Sequence, residues 1–434
     1  MFMKKIIIVA PHFPPSNLAA VHRTRLFAQH LPSFGWEPII VTVHPDYYEE
    51  SPDWNLHEML PAGLRIEKVK ALPVKPIRTI GDIGVRGFYF MYKKIIELAR
   101  KEKIDFLFIP IPSNYAALLG RMVFRKTGIP FGIDYIDPWV HRWPGTERKF
   151  SRHWWSMKLG EWLEPVAVKN VALITGVAPG YFEDVLKRNE HLRDVITAAM
   201  PYGGEASDHE FVKTKALQPY LFKKEEGIVD MVYAGAMLPR AFEPLKQVLH
   251  AMARNKEEFR NVRFHFIGTG TSPNNSGGFN IKPHAEPLGL WENTVFEYPK
   301  RIPYLDVLTH LSASDGIFIL GSTEPHYTPS KLYQAVLSHK PVFAILHEKS
   351  TAGHVINASH AGLDLAFNGQ EDVEKIGREF VKCWNCYRDM ARKFDPAQID
   401  MQEFQKYSAF NITRSLSAAL DEAVALKRKE GVHS

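Results

Sequence analysis

The sequence predicts an α/β protein with two parallel-sheet, Rossmann-like domains. Short apolar runs alternate with helical stretches along the whole chain, as expected for parallel strands covered by helices on both faces. With 434 residues, the chain is too long for one ordinary domain. The turn-rich segment Pro201-Tyr202-Gly203-Gly204 has the composition of a hinge between the halves. Ligands bind at the carboxyl ends of such strands, so the two domains are expected to face a central cleft.

The individual elements follow from these alternating patterns. In the first half we predict strands at residues 4–10, 37–43, 104–110, 129–137 and 171–177, and helices at 21–31 and 88–100. In the second half we predict strands at residues 229–234, 262–267, 316–320 and 341–345, and helices at 244–254, 304–312, 330–338 and 373–394. A charged helical stretch at residues 400–430 ends the pattern.

Charge and hydropathy indicate which classes of binding partner this protein can have. The net charge is +6, and residues 65–103 alone carry 11 basic and 4 acidic residues among several aromatic ones. This mixture suits an anionic membrane surface, and a solvated basic face beside a core helix explains it nearly as well. No nucleic-acid-binding motif accompanies the basic residues, so nucleic acid is not an expected partner. No apolar run is long enough to span a membrane, and no signal peptide is recognisable. We therefore expect a cytoplasmic protein, with peripheral contact to the inner face of the membrane as an additional possibility.

The two cysteines, Cys383 and Cys386, have the spacing of a redox pair. A thioredoxin-type pair belongs at a strand-to-helix turn, whereas these residues lie inside the predicted helix at 373–394. No histidine or further cysteine has a spacing suited to zinc. We therefore expect neither redox chemistry nor a bound metal.

Candidate ligand contacts in the first half follow two predicted strands. The loop at residues 11–21 contains no glycine, which argues against the glycine-rich loop of nicotinamide and flavin enzymes. His12 in this loop either fills a turn or contacts a ligand, and the helix after it presents Arg23. Asp137 precedes a proline at the end of another strand, and His141 follows it, so both are candidates for polar ligand contacts.

In the second half, three predicted features share one edge of the sheet. Gly235 and Arg240 follow the strand at 229–234, and Gly268 follows the strand at 262–267. Glycine lets a ligand approach the backbone, and arginine binds phosphate oxygens in bidentate fashion. Ser330 and Lys331 open the predicted helix at 330–338, and helix N-termini bind phosphates. Each residue alone also fits a solvated or capping role, but together they favour a nucleoside diphosphate.

Several segments resemble a glycosyltransferase of the GT-B fold, similar to the retaining family 4 enzymes. They include IIIVAPHFPPS, IDYIDPW, MPYGGEASDHEF, VYAGAMLPRAFEPLKQVL, FHFIGTG and TPSKLYQAVLSHKPVFAI, and the resemblance covers roughly residues 4–392. It implies an acceptor-binding domain at residues 1–205, a nucleotide-sugar-binding domain at 206–400, and a C-terminal helix within 401–434 that returns to the first domain. It also implies a nucleotide-sugar donor and no metal or other cofactor.

The resemblance also implies roles for individual residues. The family's Glu-x7-Glu pair aligns with His326 and Gln334, and Glu324 lies two residues from the first position. Relatives often carry arginine where this chain has Ile136. The implied catalytic residues are His12, Asp137 and His326; the implied donor-binding residues are Gly235, Arg240, Gly268, Glu324, Ser330, Lys331 and Gln334; Arg23 and His141 are implied on the acceptor side.

The reaction implied is transfer of a sugar from a nucleoside diphosphate to an acceptor hydroxyl, with retention of the anomeric configuration. A glycan or a lipid-linked acceptor, in the synthesis of glycans or surface polysaccharide, is the expected context. Two alternatives stay open. One is a non-catalytic partner that binds sugar nucleotide, which the altered Glu-x7-Glu pattern favours; the other is a non-hydrolysing sugar-nucleotide epimerase.

Overall fold

The computed structural model describes residues 3–74, 81–141, 148–270 and 278–432. The chain divides into two compact units: unit 1 comprises Met1–Gly203 and Ala409–Ser434, and unit 2 comprises Gly204–Ser408. The first boundary falls inside the predicted hinge segment. Gly203 has φ +81°, and a Cβ atom there would lie 3.0 Å from the Cα of Ala409. Both the backbone conformation and the close approach therefore require glycine at this boundary.

The described part of unit 1 contains a seven-stranded sheet in the order β3-β2-β1-β4-β5-β6-β7, and all neighbouring strands are parallel. The strands are β1 Lys4–Val9, β2 Trp36–Val43, β3 Arg65–Val69, β4 Phe106–Ile111, β5 Phe131–Tyr135, β6 Leu173–Gly176 and β7 Ile196–Ala199. The five strands predicted here are confirmed. The sequence patterns missed β3 and β7, the two edge strands, because both are short and only partly buried.

The helices of unit 1 pack on both faces of this sheet. They are α1 Ala19–His30, α2 Trp54–Glu58, α3 Ile83–Lys101, α4 Leu118–Thr127, α5 Arg152–Ala167 and α6 Glu183–Arg188, and the C-terminal helix Ala409–Val432 also belongs to this unit. Leu416 and Leu420 of the C-terminal helix are buried in one cluster with Phe27, and Trp36 Nε1 donates a hydrogen bond to Asp421 Oδ1 over 2.9 Å. The predicted return of the last helix to the first domain is confirmed.

Unit 2 has the same design. Its described part contains a six-stranded parallel sheet in the order β10-β9-β8-β11-β12-β13, with β8 Val229–Ala234, β9 Val262–Ile267, β10 Val295–Tyr298, β11 Gly316–Leu320, β12 Val342–His347 and β13 Gly362–Phe367. Its helices are α7 Ala206–Lys215, α8 Phe242–Arg254, α9 Lys282–Ala285, α10 Tyr304–Ala313, α11 Leu332–Leu337, α12 Thr351–Ala358, α13 Glu374–Ala391 and α14 Met401–Phe404. The four predicted strands are confirmed, and the edge strands β10 and β13 were missed.

Two helix boundaries differ from the prediction. The helix predicted to open at Ser330 begins at Leu332, because the Leu332 N–H donates to the Pro329 carbonyl across a tight turn instead of starting a regular helix. The stretch predicted as one helix at 400–430 is broken at Ser408, which has extended backbone angles. The C-terminal helix, α15, therefore starts only at Ala409, while α14 belongs to unit 2.

Within the described residues, no helix is both long and apolar enough to cross a membrane, and no three His, Cys, Asp or Glu side chains are grouped to hold a metal ion. The cysteines are free thiols on α13. Burial raises the pKa of the Cys383 thiol to about 12, so this thiol is protonated and unreactive at neutral pH.

Candidate functional site

The strand order of unit 2 reverses between β8 and β11, and the loops after these strands meet there. The backbone N–H of Thr323, after β11, donates to the carbonyl of Arg240, after β8, over 3.1 Å. The loop after β8 also contacts the end of β9, where the Gly235 N–H donates to the Ile267 carbonyl over 2.9 Å. Such a reversal leaves a crevice at the carboxyl ends of the strands, where α/β folds bind their ligands.

Arg240 and Glu324 form an ion pair at this reversal point. Arg240 Nη1 lies 3.6 Å from Glu324 Oε1, and the two side chains are 37% and 15% exposed. The distance is that of a loose ion pair, and a guanidinium has five N–H donors. Arg240 can therefore keep Glu324 as a neighbour while it binds a second anion. The structure thus brings together two of the residues expected to bind the donor.

Glycines shape the backbone beside this pair. Gly235 has φ +156° and Gly268 has φ +74°, both in the region that side-chain-bearing residues avoid. A Cβ atom on Gly268 would meet no heavy atom within 4 Å, so the backbone borders open space. The next residue is fixed, because the buried hydroxyl of Thr269 donates to Glu297 Oε1. The backbone at Gly268 is therefore accessible to a ligand, and the neighbouring Thr269 is held by its hydrogen bond to Glu297.

The loop between β11 and α11 also carries His326, which is half-buried. The loop is fixed to the start of α12: Ser350 Oγ donates to the Tyr327 carbonyl over 2.8 Å, and the hydroxyls of Thr328 and Thr351 lie 3.0 Å apart. His326 therefore shares one restrained loop with Glu324.

Ser330, Lys331 and Gln334 come next along the chain, and two of them contact neighbouring helices. Ser330 is half-buried in the turn before α11. Lys331 Nζ lies 5.0 Å from the centroid of the Tyr304 ring on α10, a cation–π contact. Gln334 is 5% exposed, and its Oε1 lies 2.9 Å from Nε2 of His209 on α7. Burial lowers the pKa of His209, so the imidazole is neutral at neutral pH and its Nε2–H donates to the amide oxygen.

His209 is a partner that the sequence analysis missed. It lies within MPYGGEASDHEF, a segment that already carried the resemblance, but 125 positions separate it from Gln334. No local pattern connects residues so far apart in the sequence.

Unit 1 has its own reversal point, between β1 and β4. A cavity of about 230 Å³ lies there, and its lining includes His12, Leu18, Thr24, Ser113 and Asp137. Two residues singled out from the sequence, His12 and Asp137, therefore share one cavity, and Asp137 is exposed. His141 is half-buried and lies in the same loop as Asp137.

Glu50 holds His12 in place. His12 Nδ1 lies 2.9 Å from Glu50 Oε1, and Ser16 Oγ also donates to this carboxylate. Burial alone would raise the pKa of Glu50, but the hydrogen bonds from His12 and Ser16 outweigh it and lower this pKa to about 2. The carboxylate therefore stays ionised and orients the imidazole beside the cavity. Glu50, which lies in the loop that follows β2, was not among the residues predicted from the sequence.

Arg23 is placed differently from the expectation. Its side chain is fully buried and forms two hydrogen bonds to Asp134, of 2.7 and 3.0 Å, and two to the carbonyls of Met200 and Pro201. The hydroxyl of Thr175 donates to the same aspartate over 2.6 Å. Arg23 therefore connects α1 to β5 and to the segment after β7 inside unit 1, a position unlike the acceptor-side contact implied by the resemblance.

Comparisons with known proteins agree on the fold. No protein-family model matches the sequence, and no curated protein matches it. A glycosyltransferase from Rickettsia africae is 15% identical, covers 97% of this chain and 99% of its own, and has a TM-score of 0.62. HepE from Anabaena, solved in complex with UDP and glucose, is 13% identical over 96% of this chain and 100% of its own, with a TM-score of 0.62. The α,α-trehalose 6-phosphate synthase from Burkholderia multivorans is 12% identical over 99% of each chain, with a TM-score of 0.63.

These similarities establish the class of fold. The chain has the GT-B architecture of two Rossmann-like parallel-sheet domains, as in the glycosyltransferases above, and its own C-terminal helix belongs to the first unit.

Proposed function

We propose that this protein is a glycosyltransferase that moves a sugar from a nucleoside-diphosphate sugar to an acceptor hydroxyl. The observation that carries the proposal is the reversal point of unit 2, where Arg240 and Glu324 meet beside the open backbone of Gly268. A cation next to accessible backbone is suited to a diphosphate. The likeness to HepE, solved with UDP and with UDP-glucose, supports the same ligand class here.

In this proposal, Arg240 and Lys331 stabilise the charge that develops on the leaving diphosphate. Gln334 faces the ribose with its amide nitrogen, because its amide oxygen already accepts a hydrogen bond from His209. Glu324 and His326 contact the sugar from their shared loop. Unit 1 binds the acceptor in the cavity beside His12 and Asp137. No metal takes part in these contacts.

We further propose that the reaction proceeds with retention, as in the family 4 enzymes that the sequence resembles. The bond between the anomeric carbon and the diphosphate oxygen breaks, the acceptor oxygen bonds to the same face of that carbon, and the acceptor proton leaves with the diphosphate. Glycan, lipid-linked or surface-polysaccharide acceptors fit this chemistry.

A two-stage experiment tests the proposal. A thermal-shift screen with UDP, GDP, dTDP and CMP identifies the base, since a ligand at 100 times its dissociation constant stabilises the protein by about 2.7 kcal/mol. The matching sugar nucleotide is then incubated with candidate acceptors, and the anomeric configuration of the product is read by NMR. We expect nucleotide release that depends on the acceptor, and a product that retains the donor's configuration. Free epimer without acceptor would favour the epimerase, and binding without turnover would favour the non-catalytic partner.

A cytoplasmic location with peripheral membrane contact belongs to the same proposal. The predicted contact through residues 65–103 is only partly covered by the structure, because residues 75–80, with Ile77 and Ile80, lie outside the described residues. Of the described aromatic residues in this segment, Tyr89 is exposed at 65%, while Phe88, Phe90 and Tyr92 pack against the core. The segment therefore offers little described aromatic surface to a lipid bilayer.

A further inference from the structure

Helix α5 exposes a row of large apolar side chains. Trp155, Leu159, Trp162 and Val166 are 56%, 40%, 73% and 39% exposed. Their spacing of four, three and four residues places them along one line of the helix surface. We call these four residues the α5 stripe. Two tryptophans with more than half of their surface exposed in one row are unusual for a surface that meets only water.

The opposite face of α5 is fixed to unit 1. A Cβ atom on Gly160 would lie 3.2 Å from the Trp139 ring, so the helix packs directly against that ring. Glu164 is 1% exposed and accepts two hydrogen bonds of 3.0 Å from Arg188. These residues lie about half a turn from the α5 stripe. The α5 stripe therefore lies on the face of the helix opposite these packing contacts.

Exposed basic residues lie just before α5 and on α4, the helix that packs against it. Arg148 and Lys149 are exposed just before the helix, where Phe150 contacts Trp154 at a ring distance of 5.4 Å. Arg125 and Lys126 are exposed at the end of α4, which packs against α5 and contains no acidic residue. On α5 itself, Lys158 and Glu161 neutralise each other at 2.6 Å. The segment just before α5 and helix α4 are thus both positively charged.

We propose that the α5 stripe and these basic residues form a docking surface for a membrane with anionic phospholipid head groups. Tryptophan favours the boundary between acyl chains and head groups, and aliphatic side chains between the two rings bury their area in the same layer. Lysine and arginine beside the stripe attract anionic head groups. The inference does not depend on the proposed reaction.

The charges favour a bilayer over a second copy of this chain. Two stripes packed against each other would bring both sets of Arg125, Lys126, Arg148 and Lys149 close together, and the like charges would repel. An anionic membrane surface can bury the apolar side chains of the α5 stripe and also attract the basic side chains.

Vesicle sedimentation of the full chain tests the proposal. Vesicles of phosphatidylcholine alone are compared with an equimolar mixture of phosphatidylcholine and phosphatidylglycerol. We expect the parent protein to sediment with the mixed vesicles and not with the neutral ones. Trp155→Ser/Trp162→Ser should weaken binding at least about tenfold, from the lost apolar contact. Arg125→Gln/Lys126→Gln should weaken it about 25-fold, at roughly fivefold for each basic side chain.

Trp54→Ser is the matched control, because Trp54 is also 56% exposed but lies on α2. It should bind as the parent does, and equal melting temperatures verify that all variants fold. Quenching of the parent's tryptophan fluorescence by brominated acyl chains should disappear in the Trp155/Trp162 variant. Equal recovery of the parent with both vesicle types, or unchanged binding of either double variant, would overturn the proposal. Self-association of the parent that is lost only in Trp155→Ser/Trp162→Ser would also overturn the proposal.

Discussion

The partly buried hydrogen bond between His209 and Gln334 gives the most sharply defined stability prediction. Gln334→Leu keeps the side-chain size close to that of glutamine but removes the oxygen that accepts the His209 Nε2–H over 2.9 Å. Because Gln334 is 5% exposed and His209 is half-buried, water has limited access to replace the lost partner. An unsatisfied buried donor costs about 1–3 kcal/mol. The leucine variant should therefore lose about that much stability in unit 2.

Differential scanning calorimetry at neutral pH measures this loss. For a unit of this size, 1 kcal/mol shifts the melting temperature by about 2–4 °C, so we expect a decrease of about 2–12 °C. Gln370→Leu is the control, because Gln370 is exposed and should tolerate the same change. His209→Leu/Gln334→Leu removes both partners and should recover much of the loss. Parent-like melting of Gln334→Leu, or a double variant less stable than the single one, would refute the reasoning.

Two further predictions concern unit 1. The pKa of Glu50 is lowered to about 2 in the fold from its ordinary value of 4.5, so its stabilising contribution is complete above pH 4.5 and is lost as the pH falls towards 2. Urea unfolding at a series of pH values measures this contribution. Between pH 4.5 and 2, the free energy of unfolding should decrease less for Glu50→Gln than for the parent, and an equal decrease in both proteins would contradict the assignment. Arg23→Met removes one partner of a fully buried ion pair with Asp134 and should destabilise unit 1 by about 3–5 kcal/mol. Lys103→Met, at an exposed position, is its control in the same urea titration, and similar midpoints for the two variants would disprove the structural role of Arg23.

The parallel sheets were predictable because their central strands are continuous apolar runs. The strands at residues 229–234, 262–267 and 316–320 match the observed β8, β9 and β11 residue for residue. The edge strand Arg65–Val69 mixes three charged residues with two apolar ones and is only partly buried, so its sequence carries no comparable signal. Local hydrophobic pattern predicts a strand only where both faces are covered.

The candidate sites were predictable in position but not in their contacts. Arg240 and His12 were predicted as candidates because they lie in loops that follow strands. The carboxyl ends of parallel strands lie at one edge of the sheet, where ligands bind. Their carboxylate partners are harder to foresee: Glu50 reaches His12 from the loop after β2, and Glu324 reaches Arg240 from the loop after β11. Tertiary packing alone brings these pairs together. The buried position of Arg23 likewise depends on Asp134, which is 111 residues away in sequence.

Calorimetric titration with UDP, GDP and dTDP tests the central claim, that the reversal point of unit 2 binds a nucleoside diphosphate. The parent should bind at least one of them, and Arg240→Ala should weaken that binding by about 1.5–3 kcal/mol, the scale of a charged hydrogen bond. Arg378→Ala is the matched control: Arg378 also pairs with a carboxylate, Asp372 at 3.4 Å, but on α13. Its affinity should equal that of the parent. Absence of binding to all three nucleotides, or equal affinity of the parent and Arg240→Ala, would contradict the claim.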